Sequence, residues 1–79
     1  MNKEQDNIDA LKLKRKIKAM MAEKGFTLET LAEELNKKYS VQESKNNISN
    51  KLTRGSLRFI EVVRIANVLG FEVNFNSKD

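Results

Sequence analysis

Polar side chains suited to base recognition are concentrated in residues 44–55 of this 79-residue sequence. An asparagine amide donates and accepts hydrogen bonds at once, as pairing to an adenine edge in the DNA major groove requires, and a lysine reaches guanine or phosphate. At helical spacing these side chains share one face, opposite the apolar Ile48 and Leu52. The alternative for Asn46 and Asn47 is structural, because asparagine is common where a helix starts. The predicted base-reading residues are Lys45, Asn46, Asn47, Asn50 and Lys51.

Positive charge is concentrated around the same segment. Residues 37–58 hold six cations and one carboxylate, a net charge of +5, whereas the whole chain carries +4. Proteins that bind nucleic acid neutralise backbone phosphates with lysine and arginine, so this placement favours a polyanionic partner. The candidate phosphate contacts within the stretch are Lys37, Lys38, Arg54 and Arg58.

The composition argues against most catalytic and metal chemistry. The chain contains no cysteine and no histidine, which removes disulfides, zinc-finger sites and the Ser-His or Cys-His pairs of nucleophilic catalysis. Its carboxylates are scattered along predicted helix surfaces, and the sequence has no glycine-rich phosphate loop. We therefore expect a protein that is not an enzyme and that uses neither a metal nor a cofactor.

The first element that must support this segment is a basic helix ending at Gly25. Residues 1–7 are polar and are expected to be disordered. Within residues 12–18, five cations surround two apolar positions. We interpret this run as a solvated helix face, with a phosphate-facing role as the alternative. The apolar residues that predict the helix by their spacing are Leu13, Ile17, Met20 and Met21.

Two shorter helices follow, and each has a clear capping residue. Thr27 is a good N-cap for the second helix, with Glu29 in the first turn to meet the helix dipole. Ser44 is the predicted cap of the third helix, and Arg54-Gly55 closes it. The apolar face of the second helix consists of Leu28, Leu31, Ala32 and Leu35.

The fourth helix and the tail complete a chain that we expect to be one domain over residues 1–79. Residues 57–69, after a cap at Ser56, are apolar nearly all round and are ended by Gly70. Residues 71–75 then alternate with a period of two, as a half-buried strand does. The predicted class is all-α, a compact helix-turn-helix domain of four to five helices, with a short β-like tail at 71–79 that pairs with its copy or lies along the core.

The order of these residues resembles the helix-turn-helix of small phage-repressor and Xre-like DNA-binding regulators. The stretch Phe26-Thr27-Leu28-Glu29-Thr30-Leu31-Ala32-Glu33-Glu34-Leu35 and the segment 44–55 carry the resemblance, which extends over about residues 10–70. In that family a Thr opens the first motif helix, a small Ala lies at its centre, an Ile marks the inward face of the recognition helix, and Arg-Gly ends it. The matching residues here are Thr27, Ala32, Ile48 and Arg54-Gly55.

Two departures from that family are visible. The connection from Leu35 to Ser44 is about six residues longer than the usual turn, which implies a long-turn variant in which Tyr39 and Val41 pack inward. The chain also resembles small bacterial proteins that have a similarly lengthened turn and the pattern Asn-x-x-Asn-Lys-x-x-Arg-Gly, which residues 47–55 match. Leu28 also replaces the polar residue that family members place directly after the Thr.

These features predict a sequence-specific regulator of transcription that binds double-stranded DNA through a recognition helix at about residues 44–54. The resemblance implies a repressor, with Thr27 added to the phosphate contacts. We expect a cytoplasmic protein, because the polar start has no signal-peptide core and no apolar run nears the ~20 residues of a membrane span. We also expect a homodimer that binds a two-fold related DNA site. The predicted dimer contacts are Phe71, Val73 and Phe75.

Two other functions remain open at this stage. One is a protein-interaction module, an antitoxin or phage-type inhibitor, that keeps the fold but holds a protein partner with the fourth helix and the tail. The other, a basic amphipathic helix at residues 10–21 lying on a membrane, ranks last because that helix has no aromatic residue.

Overall fold

The computed structural model describes residues 3–78 of the chain, with the side chains of residue 5 and of residues 7–78. Within these residues the protein is all-helical and compact, with extents of 36 × 27 × 21 Å. None of the helices in the described range is both long and apolar enough to span a bilayer. The four helices are α1 (Lys3–Lys24), α2 (Leu28–Tyr39), α3 (Lys45–Arg54) and α4 (Phe59–Leu69).

The predicted start of α2 and both predicted ends of α3 are confirmed, because local chemistry fixes them. The Thr27 hydroxyl accepts a hydrogen bond from the Thr30 amide while the Thr30 hydroxyl accepts one from the Thr27 amide, which satisfies two otherwise unpaired N–H groups. The Ser44 hydroxyl does the same for the amide of Asn47 at 3.1 Å. Gly55 ends α3 in the left-handed region with φ +67°.

Two helix starts differ from the prediction. α1 includes residues 3–7, which we expected to be disordered; with no proline in the chain and no glycine before Gly25, nothing in this polar segment interrupts the helix. α4 begins at Phe59 and not at residue 57, because the Glu61 carboxylate accepts a hydrogen bond from the amide of Arg58 at 2.9 Å. That carboxylate replaces Ser56 as the capping group.

The core lies where α1 and α2 each pack against both α3 and α4. Its members are the inward-facing apolar residues of all four helices, so burial and not helix propensity fixes how α3 is held. The methyl of Ala10 on α1 fits directly against Gly55, where an added Cβ would come within 2.7 Å. The buried cluster consists of Ile17, Met21, Leu31, Ala32, Leu35, Ile48, Leu52, Ile65 and Leu69.

The tail forms no strand in the single protomer that the structure describes, while Phe71 packs on the core as the second predicted alternative expects. Residues 71–78 have no regular secondary structure, and because a strand needs a partner, pairing with a second copy stays a prediction. Phe71 instead packs on the core, with the Lys24 ammonium 5.0 Å from its ring centroid. Phe75 stacks on Phe59 with ring centroids 6.0 Å apart, and 83% of Phe75 remains exposed.

Candidate nucleic-acid interface

The outer face of α3 brings together most of the predicted base-reading residues. Buried Ile48 and Leu52 tie the inner side of the helix to the core, and this packing leaves the opposite side to solvent. The side-chain amides on that side take part in none of the hydrogen bonds found among the described residues, so their donors and acceptors are open to a ligand. The exposed residues of this outer face are Lys45, Asn46, Asn47, Asn50, Thr53 and Arg54.

Thr53 is a member of this face that sequence reasoning missed. It lies three residues after Asn50 and is exposed on the same side of α3. Its hydroxyl accepts a hydrogen bond from the Lys14 ammonium of α1 at 3.2 Å. The helical spacing from Asn50 was the one signal in the sequence that would have identified Thr53.

Lys51 is not part of the outer face, contrary to the prediction that it reads bases. Its ammonium lies 3.1 Å from a carboxylate oxygen of Glu43 and 2.5 Å from one of Glu61. About a third of the Lys51 side chain is exposed, while the Glu61 carboxylate is nearly buried. The lysine therefore links the lengthened turn, α3 and α4, and its charge is neutralised inside the protein.

Two members of this ion-pair cluster, Glu61 and Lys51, have pKa values shifted by their surroundings. Burial raises the pKa of Glu61, but the hydrogen bonds from Lys51 and from the Arg58 amide, with both positive charges, outweigh it and hold that pKa below its ordinary range. The hydrogen bond to Glu61 raises the pKa of Lys51; burial lowers it, and Glu43 adds a further increase, so the net direction is upward. Both shifts favour the ionised forms of Glu61 and Lys51.

The lengthened turn is ordered by one side chain of α2. Asn36 donates from Nδ2 to the Glu43 carbonyl at 2.9 Å and accepts from the Glu43 amide at 2.7 Å, as a neighbouring strand would. Ser40 takes the left-handed conformation that ends α2, with φ 54°. Tyr39 and Val41 pack on the core, as predicted. The lengthened turn therefore holds the Glu43 carboxylate in position to contact the Lys51 ammonium.

Three of the predicted phosphate contacts lie close to α3. Thr27, at the start of α2, lines an open cleft together with Lys18 and Lys45. Arg54 is exposed at the end of α3. Arg58 follows shortly after and is exposed over 73% of its side chain, although its Nε also lies 3.5 Å from Glu61.

Lys37 and Lys38 are not brought to this surface. Asn36 faces the turn before α3, and each residue of an α-helix advances about 100°, so Lys38 is about 200° further round α2. Its ammonium lies 5.8 Å from the centroid of the Tyr39 ring. The Lys37 ammonium is 4.0 Å from Glu34 on the exposed side of α2. Within the described part of the chain, no group of carboxylates is arranged to hold a metal ion.

The chain belongs to the family described as a domain of unknown function (DUF6471), whose model matches residues 10–73. The match includes most of α1, all of α2, α3 and α4, and the lengthened turn. No curated protein and no solved structure matches the chain. The family description assigns no activity, so function must be inferred from the residues themselves.

Proposed function

We propose that this protein binds double-stranded DNA sequence-specifically and regulates transcription, with α2 and α3 as a helix-turn-helix and α3 in the major groove. The observation that carries the proposal is the outer face of α3, where exposed asparagine amides lie one turn apart at Asn46 and Asn50. An α-helix fits the major groove, and the amide side chains that recognise adenine there do so by donating one hydrogen bond and accepting another.

The packing of α2 on α3 supports this role. Buried Ala32 and Leu35 on α2 face the core together with Ile48 and Leu52 of α3. The small side chain of Ala32 permits close approach of the two helices, and the Asn36 clamp fixes the turn between them. A recognition helix needs this kind of support, because loose side chains would lose discrimination between bases.

The structure narrows the residues that we assign to DNA. Lys51 is left out because Glu43 and Glu61 neutralise it, and Lys37 and Lys38 are left out because they lie away from α3. The proposed base contacts are Lys45, Asn46, Asn47 and Asn50, and the proposed phosphate contacts are Thr27, Arg54 and Arg58.

We also propose that the DNA-bound form is a homodimer, with an apolar patch as the contact between copies. Phe71 packs on the core of its own protomer, so it is not part of the patch. The patch combines the other two predicted dimer contacts, Val73 and Phe75, with the start of α4. Its members and their exposed fractions are Phe59 60%, Ile60 47%, Val73 36% and Phe75 83%. Such residues gain stability from burial, and two copies on one axis match a two-fold DNA site.

The experiment begins with a duplex recovered from a randomised pool by repeated selection on the protein. Asn50→Ala is expected to weaken binding to this duplex by about 1–3 kcal/mol and to leave binding to random duplex nearly unchanged. Asn67→Ala is the matched control, because Asn67 is also exposed on a helix but lies on α4, where its amide is near Tyr39 and not near α3. If both variants bind the selected duplex equally well, the assigned recognition face is wrong.

A second candidate function is a protein-interaction module, which the same apolar patch favours. In that case the start of α4 and the tail hold a different protein, and α3 has no DNA partner. The two candidates separate in solution: a monomer at micromolar concentration that binds no duplex at low salt supports the module and contradicts the regulator.

A further inference from the structure

The packing of α1 assigns four of its five clustered cations to two different edges of the helix. Ala10 touches Gly55 after the end of α3, and Lys14 reaches Thr53, two residues earlier in the chain. Lys18, a further turn along α1, lines the cleft that Lys45 borders at the start of α3. α1 therefore runs antiparallel beside α3, and Lys14 and Lys18 lie on the edge of α1 that faces the recognition helix.

Lys12 and Lys16 point elsewhere. Lys16 lines a depression with Met20 and Phe71, on the side of α1 that carries the tail. Lys12 is four residues before Lys16 and shares its edge of the helix. The inner face of α1 is buried in the core through Ile17 and Met21, so these two residues cannot enter a membrane, and the exposed large apolar residues described on this helix are Ile8 and Leu11.

We propose that Lys14 and Lys18 form a phosphate-binding strip that contacts the backbone of one DNA strand beside the groove occupied by α3. Packed helices lie 8–10 Å apart, and the major groove is about 12 Å wide. A helix in the groove thus places its packed neighbour over the bordering strand. Lys14 and Lys18, one turn apart, are spaced about 6 Å along α1, close to the phosphate repeat of a single strand.

The bond between Lys14 and Thr53 fits this role. It holds the Lys14 ammonium beside the outer face of α3 instead of letting the side chain extend freely into solvent. Thr53 is itself exposed, so the pair presents a hydroxyl and a cation to the same edge of the groove. The run of cations on α1, interpreted from sequence as a solvated face, therefore contributes two of its members to the interface.

The inference rests on the proposed function, and the experiment separates the two. Binding to random duplex is measured by fluorescence anisotropy over a series of salt concentrations for the wild type and for the double variant Lys14→Gln/Lys18→Gln. Each phosphate contact contributes about 0.9 to the slope of log affinity against log salt. Loss of the strip is expected to reduce that slope by about 1.8, with a similar loss of affinity on selected and random duplex.

The matched control is Lys12→Gln/Lys16→Gln, which removes the same charge from the same helix on its other edge. This control is expected to keep the wild-type slope within about 0.5, and Lys14→Arg/Lys18→Arg is expected to keep it as well, because arginine also neutralises phosphate. Equal loss of slope in both double variants overturns the strip, because net charge alone then explains the effect. An unchanged slope in Lys14→Gln/Lys18→Gln overturns it too.

Two further readouts keep the result interpretable. Thermal unfolding of each variant shows whether the fold is retained, and the arginine pair tests the strip even if the glutamine pair unfolds. Sedimentation with phosphatidylserine-containing vesicles tests a lipid source of phosphate: vesicle binding that the glutamine pair abolishes, without salt-dependent DNA binding, overturns the assignment to DNA. Absence of any duplex binding by the wild type contradicts the proposed function itself.

Discussion

Replacing Lys51 with glutamine tests whether this residue supports α3 or contacts DNA. The variant leaves the carboxylates of Glu43 and Glu61 facing the same space without a cation, and their side chains are 17% and 10% exposed. Removing one partner costs about 3–5 kcal/mol for a fully buried pair and about 0–1 kcal/mol for a surface pair. Because Lys51 is 32% exposed, we expect an intermediate loss of about 2 kcal/mol.

Chemical and thermal unfolding measure this loss directly. For a domain of this size, about 2 kcal/mol corresponds to a fall in Tm of roughly 8–16 °C. Lys45→Gln is the matched control, since it removes the same charge from an exposed position of α3 and should change stability by less than about 0.5 kcal/mol. Adding Glu43→Gln to the Lys51 variant should recover part of the loss by removing one unpaired carboxylate.

DNA binding gives the second half of the test. If Lys51 positions α3, the folded variant keeps the wild-type salt slope, because no phosphate contact has been removed. The reasoning is refuted if Lys51→Gln is as stable as the wild type while the slope falls by about 0.9, the result expected of a lysine bound to phosphate.

Three further predictions follow from other contacts. The folded-state pKa of Glu61 is below its ordinary 4.5, so the stability that its ionised form contributes is present above pH 4.5 and is lost as the pH falls through the folded-state pKa. The free energy of unfolding of Glu61→Gln should therefore rise less between strongly acidic pH and pH 6 than that of the wild type. Gly55→Ala should lower the free energy of unfolding by at least about 2 kcal/mol, because φ is positive there and the new Cβ would lie 2.7 Å from that of Ala10. Gly25→Ala, where φ is also positive but no atom is close, should lower it by about 1 kcal/mol, and equal losses would show that Ala10 moves aside at no cost. Phe75→Ser should convert the proposed dimer to a monomer without lowering the stability of the monomer, whereas Phe71→Ser should lower that stability. Light scattering measures the mass and thermal unfolding the stability, and an unchanged mass for Phe75→Ser argues against the patch as the dimer contact.

The parts of the fold that sequence predicted are those fixed by neighbouring residues. Thr27, Ser44 and Gly55 act on backbone groups within one turn, so their chemistry can be recognised without knowing the tertiary structure. The start of α1 was missed because polar composition was taken for disorder, although nothing in that segment stops a helix. The alternation of the tail predicts which residues share a side but supplies no pairing partner within the protomer, so pairing with a second copy stays a prediction.

The candidate site shows the same division. The asparagines of α3 were identified because helical spacing places them opposite Ile48 and Leu52. The role of Lys51 was not, since its partner Glu61 lies ten residues away on another helix and its exposure depends on packing. Which edge of α1 faces α3 is likewise a tertiary property, so a run of cations gave no means of separating Lys14 from Lys12.

The central claim, that this surface binds DNA, is tested most directly by anisotropy titration of the wild type with random duplex at 50 and 200 mM salt. Four cations at phosphates, Lys14, Lys18, Arg54 and Arg58, predict a slope of about −3.6 and roughly a 150-fold loss of affinity between those concentrations for one bound protomer, and about twice that slope for the proposed dimer. Affinity that falls in this way, and that is higher for the selected duplex, supports the account. No binding at 50 mM salt, or binding that salt does not weaken, contradicts it.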